Sequence, residues 1–134
     1  MPGGGQGRRW RGCSRRAVRM LEPTLLLLLH HGPAHGYTLL EQLGEFGLSE
    51  LNPSVVYRAL REMEVRGWVT SNWEDEQTQG PPRRVYHLTA LGTEVLGFWT
   101  RDLQETRRHI DHLLVAYERH MEEDVGTLHS TSKE

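Results

Sequence analysis

Asn52-Pro53-Ser54-Val55-Val56-Tyr57-Arg58-Ala59-Leu60-Arg61-Glu62-Met63 decides how the chain is read. Asn52 suits a helix N-cap, where its side-chain oxygen accepts from an unpaired backbone N–H, and Pro53 suits the first helical position. Wound as a helix, the stretch has two sides. Val56, Ala59, Leu60 and Met63 recur at i, i+3, i+4 and i+7 and form an apolar face. Ser54, Tyr57, Arg58 and Arg61 recur at the same spacing on the opposite side. Hydroxyl, phenol and guanidinium groups together on one face match the phosphate oxygens and base edges of a DNA major groove. A solvated amphipathic helix carries the same pattern, so the flanking sequence has to decide.

Upstream, Glu22-Pro23 reads as the start of a first helix that runs to about His30. Its run from Leu25 to Leu29 implies burial on several sides, and Gly32-Pro33 breaks it. Gly36-Tyr37 opens a second helix, with Leu39, Leu40, Leu43 and Phe46 as its apolar stripe. Three helices in about 45 residues, the third with the polar face, form a helix-turn-helix pattern. Downstream, Gly67 suits the residue that ends a helix in the left-handed conformation. Trp68 to Trp73 reads as a strand, Glu74 to Pro82 as a polar loop turning at Gly80-Pro81-Pro82, and Arg83 to Leu88 as the returning strand. A hairpin after the third helix is a wing, and Arg83 and Arg84 fall where a wing meets the DNA backbone. Two solvated arginines on a hairpin would read the same way.

Thr89 can cap a further helix, and no proline follows before about Glu123. Leu96, Trp99, Leu103, Thr106, Ile110, Leu113 and Tyr117 alternate by three and four, an a/d seam of about three heptads. A helix of ~35 residues spans ~52 Å at 1.5 Å per residue. That is too long for the head to cover, so the seam implies a homodimer. Leu91, Val95 and Phe98 form a second stripe, expected to pack on the winged head.

Hydrophobic residues make up 37% of the 134-residue chain, enough for one folded domain with a modest core and extensions. The single cysteine, Cys13, excludes an intramolecular disulfide and a cysteine-pair zinc site. Among the arginines around it, Cys13 would be reactive if exposed. The net charge of −2 hides an uneven distribution. Residues 1–19 hold six arginines and no acid, which leaves ten basic against eighteen acidic residues in the remainder. Residues 1–19 are therefore expected to form a flexible basic arm that either solubilises the chain or contacts DNA. The boundaries that follow are a winged-helix domain at 20–88, a dimerisation helix at 89–123 and a flexible tail at 124–134. No apolar run approaches the ~20 residues of a membrane span, and a cytoplasmic protein is expected.

Of the eight histidines, His30, His31 and His35 bracket a turn, and His109 and His112 stand at i, i+3. Neither group has a pattern of further ligands, so no metal and no cofactor are expected. No nucleophile–base pattern, phosphate-cradling loop or carboxylate pair points to an enzyme.

Five pieces carry a family resemblance: the leucines at 25–29, Gly-Pro-Ala-His-Gly-Tyr at 32–37, Asn-Pro-Ser-Val-Val-Tyr-Arg-Ala-Leu at 52–60, Gly-Pro-Pro-Arg-Arg-Val-Tyr at 80–86, and Leu-Thr-Ala-Leu-Gly at 88–92. Each is weak alone. In this order they resemble the PadR-like transcriptional regulators, in the short subgroup with one long C-terminal helix, over about residues 20–120. The resemblance implies a dimer that binds operator DNA and usually represses. It implies DNA contacts from Tyr37, Ser54, Tyr57 and the wing from Gly80 to Arg84. Some short members stack a flat aromatic compound on a tryptophan between their two C-terminal helices. Leu103 stands at that position here, and Trp99 lies about one turn earlier.

The expected fold is mainly α with a small β wing: a winged helix-turn-helix followed by a long C-terminal dimerisation helix. The expected DNA-facing set is Tyr37, Asn52, Ser54, Tyr57, Arg58, Arg61, Gly80, Arg83 and Arg84, acting in a homodimeric repressor on a palindromic operator. Three rivals remain compatible with the sequence. One is a sensor of aromatic compounds using Trp99 and Leu103, another is a protein-interaction module that binds no DNA, and the third is a metal-dependent regulator.

Overall fold

A computed structural model describes residues 15–74 and 83–133, with side chains to residue 126. The elements in order are α1 (Arg15–His31), β1 (Ala34–His35), α2 (Gly36–Gly44), α3 (Pro53–Val65), β2 (Val69–Glu74), β3 (Arg83–Leu88) and α4 (Ala90–Lys133). They form two compact units, residues 1–98 and 99–134. The fold is mainly helical: a winged helix whose three-stranded antiparallel sheet has the order β1-β3-β2, with a long C-terminal helix. No helix among the described residues is long and apolar enough to cross a membrane.

The core of the first unit forms where three helices and the sheet meet. Leu25 and Leu26 of α1, Leu39 of α2, and Val56, Leu60 and Met63 of α3 have no exposed surface. Burying one such side chain contributes about 1.5–3 kcal/mol. The i, i+3, i+4, i+7 face of α3 is therefore its inner face. Asn52 caps the helix as its sequence suggests, its Oδ1 accepting from Ser54 N at 2.9 Å. Gly67 ends it at φ +84°, and Trp68 N donates back to Met63 O at 2.9 Å in a six-residue closing turn.

The first helix departs from expectation. It is helical from Arg15, and Pro23 lies inside it instead of starting it. Proline removes one backbone rung and normally costs about 3 kcal/mol in a helix interior. Here Pro23 is buried in line with Leu21, Leu25 and Leu26, and the Thr24 hydroxyl donates to Met20 O at 2.7 Å beside the missing rung. Packing outweighs the local preference. Arg15, Arg16 and Arg19 thus belong to a helix and not to the expected flexible arm. The rest of the arm, with Cys13, and the wing loop at 75–82, with Gly80, lie outside the described residues.

Smaller differences follow from tertiary context. Phe46 lies beyond α2 and is 46% exposed, because the helix stops at Gly44 and Leu48 turns inward to bond Leu43 O. Of the second stripe, Leu91 and Phe98 are exposed and Val95 is half-buried, while Leu91 Cδ2 comes up against Gly67. Gly92 makes the close approach: a Cβ there would overlap the Trp68 carbonyl and the Leu88 side chain. Thr89 fixes this junction, accepting from Gly92 N at 3.0 Å and donating to Gly67 O at 2.6 Å. At the other end, α4 continues past Glu123 to Lys133, where a flexible tail was expected. Residues 124–133 contain no proline, and their one glycine, Gly126, is tolerated within the helix.

Two outcomes test this packing. Gly92→Ala is expected to cost about 1–3 kcal/mol in urea unfolding, because the neighbour is backbone and cannot swing aside. Gly126→Ala, with open space around it, is expected to cost nothing and to add up to about 1 kcal/mol of helix stability. Tyr86 supplies a pH test. Burial pushes its phenol above the ordinary 10.0, opposed by the nearby Arg84 guanidinium. The folded chain keeps a proton that the unfolded chain releases, so stability falls as pH rises past 10.0. In Tyr86→Phe that part of the fall should be missing from urea midpoints measured across this range.

Candidate nucleic-acid interface

With its apolar face buried, α3 turns Ser54, Arg58 and Arg61 outward, and all three are exposed. Asn52 is exposed at the helix start. Its Oδ1 accepts from both Ser54 N and Ser54 Oγ, the latter at 2.8 Å, so Asn52 orients the Ser54 hydroxyl as well as capping the helix. A phosphate oxygen would compete with Asn52 for that proton.

Tyr57 is half-buried, and Gly36 accounts for its position. A Cβ on Gly36 would stand 2.5 Å from Tyr57 Cε1. The first residue of α2 is thus the floor on which the Tyr57 ring lies. The His-Gly-Tyr stretch is visible in the sequence, but the need for glycine there appears only once α2 and α3 are placed side by side.

The wing adds a second set of groups. Side chains alternate along a strand, and buried Tyr86 marks the inner face of β3. Arg83, Val85 and His87 therefore point to the outer face, and Arg84 shares the inner face with Tyr86. Register pairs Arg83 with Glu74 and Arg84 with Trp73. On the outer side, Arg83 Nη1 donates to Tyr37 Oη at 2.9 Å, and its guanidinium carbon lies 5.2 Å from the Tyr37 ring centre. Tyr37 in turn stacks on His35, with ring centres 5.3 Å apart and planes 15° from parallel. His35 Nε2 lies 2.6 Å from Glu74 Oε1. The wing base is thereby bracketed to the start of α2 through Glu74, His35, Tyr37 and Arg83.

Arg84 has different neighbours. Its guanidinium carbon lies 4.5 Å from the Trp73 ring centre, and Nη1 lies 3.9 Å from Glu64 Oε1. Glu64 also accepts from Ser71 Oγ at 2.9 Å. The DNA-facing set read from the sequence held Arg84 but not His35, Glu64, Ser71, Trp73 or Glu74, because only strand register brings these together. Arg66 of the same region is turned to Glu22, Glu62 and Trp68.

In the second unit, α4 exposes a long apolar surface. Ile110, Leu113, Leu114, Tyr117, Met121 and Val125 recur at three- and four-residue steps and are 40–69% exposed. The stripe runs past Tyr117, where the sequence seam stopped. Trp99 and Leu103 are partly exposed and Leu96, in the first unit, likewise, while Thr106 is exposed. Among the described residues no group of three or more His, Cys, Asp or Glu side chains could hold a metal ion.

Known proteins resemble this architecture. The profile of the transcriptional regulator PadR-like family matches residues 25–97. A proposed transcriptional regulator from Thermoplasma acidophilum shares 32% identity, covering 75% of this chain and 96% of its own, with a TM-score of 0.66. A PadR-like transcription factor from Bacteroides fragilis shares 31% identity over 75% of this chain and 95% of its own, with a TM-score of 0.63. A PadR-like transcriptional regulator from Bacillus cereus has a TM-score of 0.67 at 23% identity, over 75% and 97% of the two chains, which bears on fold alone. No curated protein matches. The family's regulators bind DNA and are not enzymes. The helix-turn-helix, the wing, the long C-terminal helix and the profile match agree: this chain belongs to the PadR-like family of transcriptional regulators.

Proposed function

We propose that the chain is a homodimeric repressor that binds a palindromic operator. The observation that carries this reading is the division of α3, with Val56, Leu60 and Met63 fully buried and Ser54, Arg58 and Arg61 exposed on the other side. Arg58 and Arg61 supply planar donor forks suited to guanine edges or phosphate oxygens. Ser54, Tyr57 and Tyr37 supply hydroxyls for the DNA backbone, Arg83 adds a charge from the wing, and Asn52 holds Ser54 in place.

The uncovered stripe of α4 supports the dimer. An apolar seam over several heptads in water finds its cover in a second copy. Two copies related by a two-fold axis would present their α3 helices to successive major grooves, about 34 Å apart. Occupying an operator that overlaps a promoter blocks transcription without any chemistry by the protein.

Three outcomes test the reading. In gel shifts with the DNA upstream of its own coding sequence, the native chain is expected to bind specifically. Tyr57→Ala with Arg58→Ala should abolish that specificity, and unchanged affinity in a folded double variant would refute the assignment. Gly36→Ala is expected to weaken operator binding about tenfold or more, since moving the Tyr57 ring removes a hydrogen bond to a charged phosphate worth roughly 1.5–3 kcal/mol; Gly32→Ala, with nothing near, is the control. Leu113→Lys places a charge in the seam, so sedimentation should report a monomer whose operator affinity has dropped by more than tenfold.

A further inference from the structure

We propose that Arg84 is a positioning residue of the DNA interface and not a phosphate contact: with Glu64 and Trp73 it fixes the angle between wing and recognition helix. The inference rests on the DNA-binding reading above and assigns different work to two adjacent, chemically identical side chains.

Strand alternation separates them first. Arg83 stands on the outer face beside Tyr37, and Arg84 on the inner face with Tyr86. The neighbours of Arg84 then define its role. Glu64 lies in the last turn of α3, and its carboxylate meets both wing strands, accepting from Ser71 Oγ of β2 at 2.9 Å and facing Arg84 Nη1 of β3 at 3.9 Å. Trp73 lies beneath the guanidinium plane at 4.5 Å. One carboxylate therefore ties the recognition helix to both arms of the hairpin, and the indole sets the direction from which Arg84 reaches it.

The electrostatics lead to the same role. Glu64 and Arg84 carry opposite charges and face each other, so the pair adds little net attraction for DNA. A helix in the major groove and a wing on the backbone gain from each other only if one rigid geometry satisfies both. Releasing the Glu64 tie costs that joint fit even though no DNA contact is removed.

The test compares operator affinity against salt concentration for Arg83→Ala, Arg84→Ala, Glu64→Ala and the Glu64→Ala/Arg84→Ala double variant. Each phosphate neutralised contributes about 0.9 to the slope of log affinity against log salt. Arg83→Ala is expected to lower the slope by about that amount. Arg84→Ala is expected to leave the slope unchanged and to lower affinity roughly three- to tenfold, as Glu64→Ala does, and the double variant should lose no more than either single one. Should Arg84→Ala not fold, Arg84→Lys serves in its place: it keeps the charge but not the planar fork, and should show the same loss and the same non-additivity with Glu64→Ala. A slope reduced by Arg84→Ala as by Arg83→Ala, tighter binding by Glu64→Ala, or full wild-type affinity in Arg84→Lys would overturn the inference. A native chain that binds no DNA refutes the proposed function and this inference with it, whereas native binding with a reduced slope in Arg84→Ala refutes the inference alone.

Discussion

The burial of Val56, Leu60 and Met63 against the leucines of α1 and α2 is the constraint on which the rest depends. A helix of thirteen residues has no stability of its own in water. It is held by that apolar face, and the face leaves only one rotation about the helix axis. Ser54, Arg58 and Arg61 are therefore outside because of what lies inside. The surface we propose to face DNA follows from the core, and a change to the core would rotate or release it.

The wing inherits its position from the same helix. Gly67 turns the chain at the end of α3, and Trp68 passes it into β2 while receiving α4 through Thr89 and Gly92. Polar contacts then refine what the backbone places. Each is partly exposed and contributes little alone, about 0–1 kcal/mol for a surface ion pair. Their value lies in geometry. Arg83 with Tyr37 and His35 with Glu74 hold the wing base to α2, while Glu64 holds Ser71 and Arg84 to α3.

Much of this could be read in the sequence, where a local rule and the tertiary structure agree. Asn52-Pro53 announces a helix start, the spacing of Val56, Leu60 and Met63 announces its inner face, and the Trp68–Trp73 and Arg83–Leu88 runs announce a hairpin, shifted by one residue in its first strand. The misses occur where packing overrides a local signal. Pro23 reads as a helix start but sits inside α1 because the surrounding leucines bury it. β1 is two residues long and exists only because β3 lies beside it, so no periodicity could reveal it. Arg83 and Arg84 are indistinguishable in the sequence, and the strand's register sends them to opposite faces. Gly36 looks like a helix opener, and its role as the seat of Tyr57 depends on a residue twenty-one positions away.

The most direct test of the central claim is a methylation-protection footprint of guanine N7 in the major groove, made on the chain's own upstream DNA. A dimer that offers two α3 helices on a two-fold axis predicts two protected patches on one face of the duplex, centred about 34 Å apart and symmetric in sequence. A single patch, no protection of guanine N7, or uniform protection without symmetry would contradict the account.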